Sequence, residues 1–323
     1  MIALWFPILI SLFWFVACPC PPQENIAPHC ICKDLGDGPM MLCNTIMSTD
    51  ELIPIIKMTD GHDMFALTLM DSALPYIPSD LFKGTHYRKI RFVNTQIMSL
   101  SDGDLAFIGL EDRLEELRAT DAHYISQWDW SQLRNHRRLD LIDINLISMY
   151  SLEQEFPALK SLTVLGIIKA EISFIHPTAF SKLENLKILD MRDNLITDLN
   201  RDMLPNPAQQ LRILDFSGNL LNSLPDDMFE GMPNLKELQL DFNKFKTLNE
   251  ETFLWPFENL QLLQFKGNEF LCDCRLRWLV DANKPMYFQG TCTLPENLKV
   301  LSSVRRWRHG GPFTALFVFP VTL

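Results

Sequence analysis

The feature that most limits what this chain can become is a repeat. LKILDMRDNLITDL (186–199), LRILDFSGNLLNSL (211–224), LKELQLDFNKFKTL (235–248) and LQLLQFKGNEFLCD (260–273) share the pattern L-x-x-L-x-L-x-x-N-x-L, with Met or Phe allowed at apolar sites. The asparagines are Asn194, Asn219, Asn243 and Asn268, at spacings of 25, 24 and 25 residues. Apolar residues two apart on a short strand share one face. Each unit therefore supplies one strand that stacks on the next in a parallel ladder. The Asn is buried at the turn after the strand, where its amide satisfies neighbouring backbone groups. Phe180, Phe229 and Phe253, ten residues after the Asn site, fill the convex side. Pro225 suits an irregular convex segment, which needs no ladder hydrogen bond.

The period is that of a leucine-rich repeat. The expected fold class is α/β: a leucine-rich-repeat solenoid with a curved parallel β-sheet on the concave face and disulfide-stapled caps. Earlier units are degenerate but can be phased, with Asn-site positions at Ser72, Thr95, Ala122, Ile144 and Ala170. Their strands fall near 67–69, 90–92, 117–119 and 139–141. About nine units then span residues 64–271. ISQWDWSQLRNHRR (125–138) is atypical and reads as a helical insert on the convex side.

A stack of this kind exposes apolar core at both ends, so the terminal units must differ. All eight cysteines lie at the ends: Cys18, Cys20, Cys30, Cys32, Cys43, Cys272, Cys274 and Cys292. That distribution suits two terminal disulfide clusters in an oxidising compartment. Residues 1–17 carry no charge and are almost all large and apolar, which reads as a secretory signal peptide; the alternative is an uncleaved anchor. No transmembrane span is expected after it. The domain reading is then an N-terminal cysteine cap over 18–63, the repeats, a C-terminal cap over 272–301, and an atypical tail over 302–323.

FLCDCRLRWLVDANK, with Leu276, Trp278, Leu279 and Val280 poised to cover the open end, resembles the C-terminal cysteine cap of secreted extracellular leucine-rich-repeat proteins. CPCPPQENIAPHCICKDLGDGPMMLC resembles the matching N-terminal cap. Its spacing, carried by Cys20, Pro21, Ile26, Pro28, Cys30 and Cys32, is similar to an arthropod subgroup described by likeness to the non-catalytic subunit of the decapod shrimp luciferase. The resemblance implies that Cys20 (or Cys18) pairs with Cys32, Cys30 with Cys43, and Cys272 with Cys292. It also implies a fourth C-terminal cysteine, and the sequence has none after Cys292. Three readings of the tail and of Cys274 stay open: an altered last exon, an intermolecular bond from Cys274 to Cys18, or a lipid-anchor signal.

Function must then be read from the strand face. Asp140, Asp143, Asp190, Asp193, Asp215 and Asp241 are expected to form an acidic stripe. Arg91 and Arg118, with Lys89 and Arg88 beside them, form a basic end. Val93, Ile142, Ile168 and Phe242 are candidate apolar anchors. The plain alternative is a solubilising surface. The net charge of −11 argues against non-specific binding to nucleic acid or anionic lipid. There is no G-x-S-x-G, H-E-x-x-H or phosphate-loop motif, and an open sheet does not desolvate acids for catalysis. The expectation is a non-enzymatic binding protein without cofactor or metal. It would be secreted, and would recognise a protein partner, of basic character, in a heteromeric complex. A transient matrix or cell-surface ligand is the alternative.

Overall fold

The computed structural model describes residues 20–282, 285–294 and 302–304. The leader read over 1–17, Cys18 and the tail beyond 304 lie outside them. Among the described residues, one sheet of 13 strands runs from the first strand to the last. It opens with an antiparallel pair, β1 (Cys30–Asp34) and β2 (Pro39–Asn44). Parallel strands come next: β3 (Ala66–Met70), β4 (Lys89–Val93), β5 (Glu116–Thr120), β6 (Leu141–Asn145), β7 (Val164–Ile168), β8 (Ile188–Asp190), β9 (Ile213–Asp215), β10 (Glu237–Gln239), β11 (Leu262–Gln264) and β12 (Tyr287–Gln289). A last antiparallel strand, β13 (Ser302–Val304), closes the order.

The caps continue the sheet instead of sitting over it. β2 pairs in parallel with β3, and β12 with β11. Disulfides join Cys20 to Cys32, Cys30 to Cys43 and Cys272 to Cys292. The Cys30–Cys43 bond ties facing residues of the antiparallel pair. Among the described residues, Cys274 is exposed and has no disulfide partner. At the C-terminal end Leu276 and Leu279 are buried, and the Trp278 ring packs 5.2 Å from Phe257 while its Nε1 donates to the Leu248 carbonyl. At the N-terminal end, helix α1 (Thr49–Lys57) buries Leu52, Ile55 and Ile56. Its start is fixed by two bonds, Glu51 N–H to Ser48 Oγ and Met47 N–H to the Glu51 carboxylate.

The core follows the repeat. Each strand turns its paired apolar side chains inward, such as Leu165 with Ile167 and Leu189 with Met191, all fully buried. Aromatic rings fill the convex side, with Trp130 stacked on Phe156 at 4.9 Å and Phe253 against Phe265 at 5.5 Å. The atypical segment 125–138 is not an α-helix. It forms two single 3-10 turns, Ile125–Gln127 and Trp130–Leu133, and buries Trp128 and Trp130.

The two halves of the solenoid solve the turn after the strand differently. In the second half, Asn194, Asn219, Asn243 and Asn268 are buried and bond across units. The Asn219 carboxamide accepts from Ile196 N–H at 3.1 Å and donates to the Met191 and Phe216 carbonyls at 3.0 and 2.9 Å. In the first half Ser72, Thr95 and Ala122 stand at the equivalent place. There the strands run five residues instead of three, so backbone pairing extends further into the turn.

One unit is phased differently from the sequence reading. Ile142 pairs with Leu117 and Leu165, and Ile144 with Ala119 and Ile167, so these two are the inward pair. Leu139 takes the pre-strand place held by Leu162 and Leu186. The Asn site of this unit is Ile147, not Ile144, and its steps become 25 and 23 residues. LDLIDINLI offers two overlapping apolar pairs, and only the neighbouring strands decide between them.

Candidate functional site

Side chains alternate along a strand, so the residues flanking each inward Leu or Ile point to the concave face. The row between the inward pair runs Arg91, Arg118, Asp143, Gly166, Asp190, Asp215, Gln239, Gln264, Gln289. The row two residues before it, just ahead of the first inward residue, runs Lys89, Glu116, Leu141, Val164, Ile188, Ile213, Glu237, Leu262, Tyr287. The second row was missed in the sequence. It puts four half-buried aliphatic side chains, Leu141, Val164, Ile188 and Ile213, side by side on neighbouring strands. The signal was present: strand alternation extends one residue ahead of the first inward Leu.

The phase correction regroups the acids. Asp143 joins Asp190 and Asp215 in one row, with Gly166 between the first two. Asp140 leaves the stripe. It is exposed ahead of β6, where its carboxylate accepts from Thr163 Oγ1. Ile142 is fully buried and cannot be an anchor. Asp241 sits one row over, accepting from Lys266 N–H at 2.6 Å.

Asp193 has a backbone explanation. The residue just before each Asn site is left-handed, as at Asp71, Asn94, Asp121, Asp193 and Gly218, with φ from 46° to 68°. Asp and Asn tolerate that region better than most residues. Lys169 pairs with Asp193 at 3.9 Å. Phe242 holds the same conformation with φ 53°, which is unusual for a bulky side chain. It is 58% exposed, with its ring against Gly267. Val93 is exposed and Ile168 half-buried.

The basic end is not free. Glu116, 6% exposed, is gripped by Lys89 at 3.1 Å, Arg91 at 2.8 Å and Arg118 at 2.9 Å. Burial alone would raise its carboxyl, but the bonds from Lys89 and Arg91, with the nearby Arg118 charge, hold it below the usual range. Arg118 also reaches Asp143 at 3.1 Å and so neutralises the first acid of the row.

Asp190 behaves in the opposite way. Burial first, then the charges of Asp215 and Asp143, push its carboxyl up to about 6, against the Arg192 backbone N–H and guanidinium. Asp241 is raised by burial and by Asp215. Between the unfolded value and about 6 the native Asp190 holds a proton that the unfolded chain has released. Its contribution to stability is therefore present at low pH and is lost as pH rises through 6. Asp190→Asn should remove about 1–2 kcal/mol of that pH dependence, discounted for water access. His136, buried and held below its usual value by burial, acts with the opposite sign in both proteins and cancels in their difference. Denaturation midpoints at pH 4.5 and 7 for both proteins would check this. Equal pH dependence would refute the burial of this charge.

A model of the leucine rich repeat family matches residues 160–207 and 209–270, the half that carries the buried asparagines. The chain is a leucine-rich-repeat solenoid. The Oplophorus-luciferin 2-monooxygenase non-catalytic subunit of Oplophorus gracilirostris is 26% identical over 217 residues, which cover 65% of this chain and 57% of that protein. The alignment thus spans little more than half of the relative's length. A chain of the TLR13–ssRNA13 complex superposes with a TM-score of 0.50 at 20% identity, over 76% of this chain and 30% of that one. This second likeness speaks for the fold alone. Among the described residues, no helix of the solenoid is long and apolar enough to cross a membrane, and no cluster of His, Cys, Asp or Glu could hold a metal ion.

Proposed function

We propose that this protein is a secreted, non-enzymatic accessory subunit that holds a protein partner on its concave face. The observation that carries the reading is the pairing of an aliphatic row with an acidic row on one open sheet. Interfaces draw their energy from apolar anchors and their steering from complementary charge. A relative whose name describes a non-catalytic subunit supports the same role. The disulfides near both ends and the apolar leader support export.

The test is the native mass of the protein in its source fluid, by size-exclusion chromatography with light scattering. A second polypeptide in the peak is expected. A clean monomer would overturn the stable-subunit reading and favour a transient ligand. For the captured partner, Asp190→Lys with Asp215→Lys should weaken binding by about tenfold or more at low salt and flatten its salt dependence. Unchanged affinity at low salt would remove the acidic row from the interface.

A further inference from the structure

The sheet face narrows its occupant to a particular kind of protein segment, provided that the concave face is where the partner sits. Four aliphatic side chains, Leu141, Val164, Ile188 and Ile213, lie on successive strands, so their stripe is about 14 Å long at roughly 4.8 Å per strand. The acidic row runs beside it, two residues along each strand and about 7 Å away. The two rows form a trough with one apolar wall and one anionic wall.

Of the three acids on the anionic wall, Asp215 alone has no cation beside it among the described residues. Asp143 is taken by Arg118 and Asp190 by the half-exposed Arg192, both at ion-pair distance. Asp215 is 6% exposed and has no Lys or Arg at that distance among the described residues; its Oδ1 accepts only the Ser217 N–H, at 2.9 Å. Gly166 leaves a gap in the row, since even a Cβ there would stand 3.4 Å from the Asp143 carboxylate. A purely apolar partner closing over this trough would strand the Asp190 and Asp215 charges away from water. A purely cationic partner would leave the aliphatic wall wet. Anionic headgroups and nucleic acid are repelled by the same row.

We propose that the trough receives a cationic amphipathic segment of the partner, its branched aliphatic side chains on Val164, Ile188 and Ile213 and its Lys or Arg side chains on Asp190 and Asp215.

Titration calorimetry on the intact protein at pH 7.5 and low salt would test it with three 14-residue peptides: an amphipathic Leu–Lys peptide, its Leu–Glu counterpart and oligolysine. The Leu–Lys peptide should bind at least about tenfold more tightly than either control. Ile188→Ser and Asp215→Asn should each weaken it about fivefold or more, while Asp227→Asn on the convex side should not. Val164→Thr, nearly equal in shape, gives a second reading if Ile188→Ser fails to fold. Oligolysine binding as well as Leu–Lys, or wild-type affinity in the folded trough variants, would overturn the proposal. The two readings fail separately. A native partner that stays bound to the Asp215→Asn and Val164→Thr variants with wild-type affinity would keep the subunit role and remove the trough. Discrimination among the peptides with a monomeric native protein would keep the trough and remove the stable subunit.

Discussion

Asn219→Ala should lower the stability of this protein by about 2–4 kcal/mol, read as a fall in the denaturation midpoint with an unchanged slope. The carboxamide is 2% exposed and its Oδ1 is the acceptor for the Ile196 N–H in the preceding unit. Alanine leaves that N–H buried with no acceptor, and adds a small cavity. The carbonyls are spared part of the loss. Met191 O still accepts from Asn194, and Phe216 O from Asn243, because each carbonyl receives two amides of the ladder. The deletion therefore costs roughly one orphaned donor plus the lost volume. The same repeat position gives the opposite result in the first half. Thr95 is buried and its Oγ1 has no partner, so Thr95→Val should be neutral or stabilising. If both substitutions cost the same, the Asn ladder is not what holds the second half together.

How far the sequence disclosed this arrangement depends on where a constraint is local. The second-half units could be phased from LKILDMRDN and its successors alone, because a buried Asn, an inward pair and a pre-strand Leu recur together. At LDLIDINLI two apolar pairs overlap, and the choice of Ile142 and Ile144 is made by β5 and β7. That one phase decided whether Asp143 or Asp140 belonged to the acidic row. Glu116 was invisible for a related reason. Nothing in ELRAT tells that its glutamate meets Lys89 and Arg91 of the previous unit, since the contact crosses units. The aliphatic row was legible but unread, because the pattern marks Ile188 and Ile213 as variable positions. Asp193 has a backbone reason to be acidic that the pattern does not show: its carboxylate suits a left-handed turn.

Glu116→Gln should cost about 3 kcal/mol or more, and its effect reaches the binding face. The carboxylate is the one anion within ion-pair distance of Lys89 and Arg91 among the described residues, and Arg118 divides itself between Glu116 and Asp143. Glutamine keeps the shape and part of the hydrogen bonding but leaves three cations pressed together on adjacent strands. Removing one partner of a buried ion network costs more than the network contributes, because the remaining charges stay desolvated. Since the Glu116 carboxyl is held below its usual value, its stabilisation is present above the unfolded pKa and lost as pH falls below it. The variant's deficit should therefore be full at pH 7 and shrink towards pH 3. Lys89→Met with Arg91→Met in the Glu116→Gln background should recover much of the loss, because the like charges that remain unpaired are then gone. The binding face changes as well. With Glu116 neutral, uncompensated cations stand beside Asp143 at the head of the acidic row, so a cationic probe should bind more weakly than to the wild type, and the rescue pair should restore it. A Glu116→Gln protein as stable as the wild type would show that water, not the carboxylate, solvates these cations. Weaker probe binding without the stability loss would separate the field of the network from its role in holding β4, β5 and β6 together.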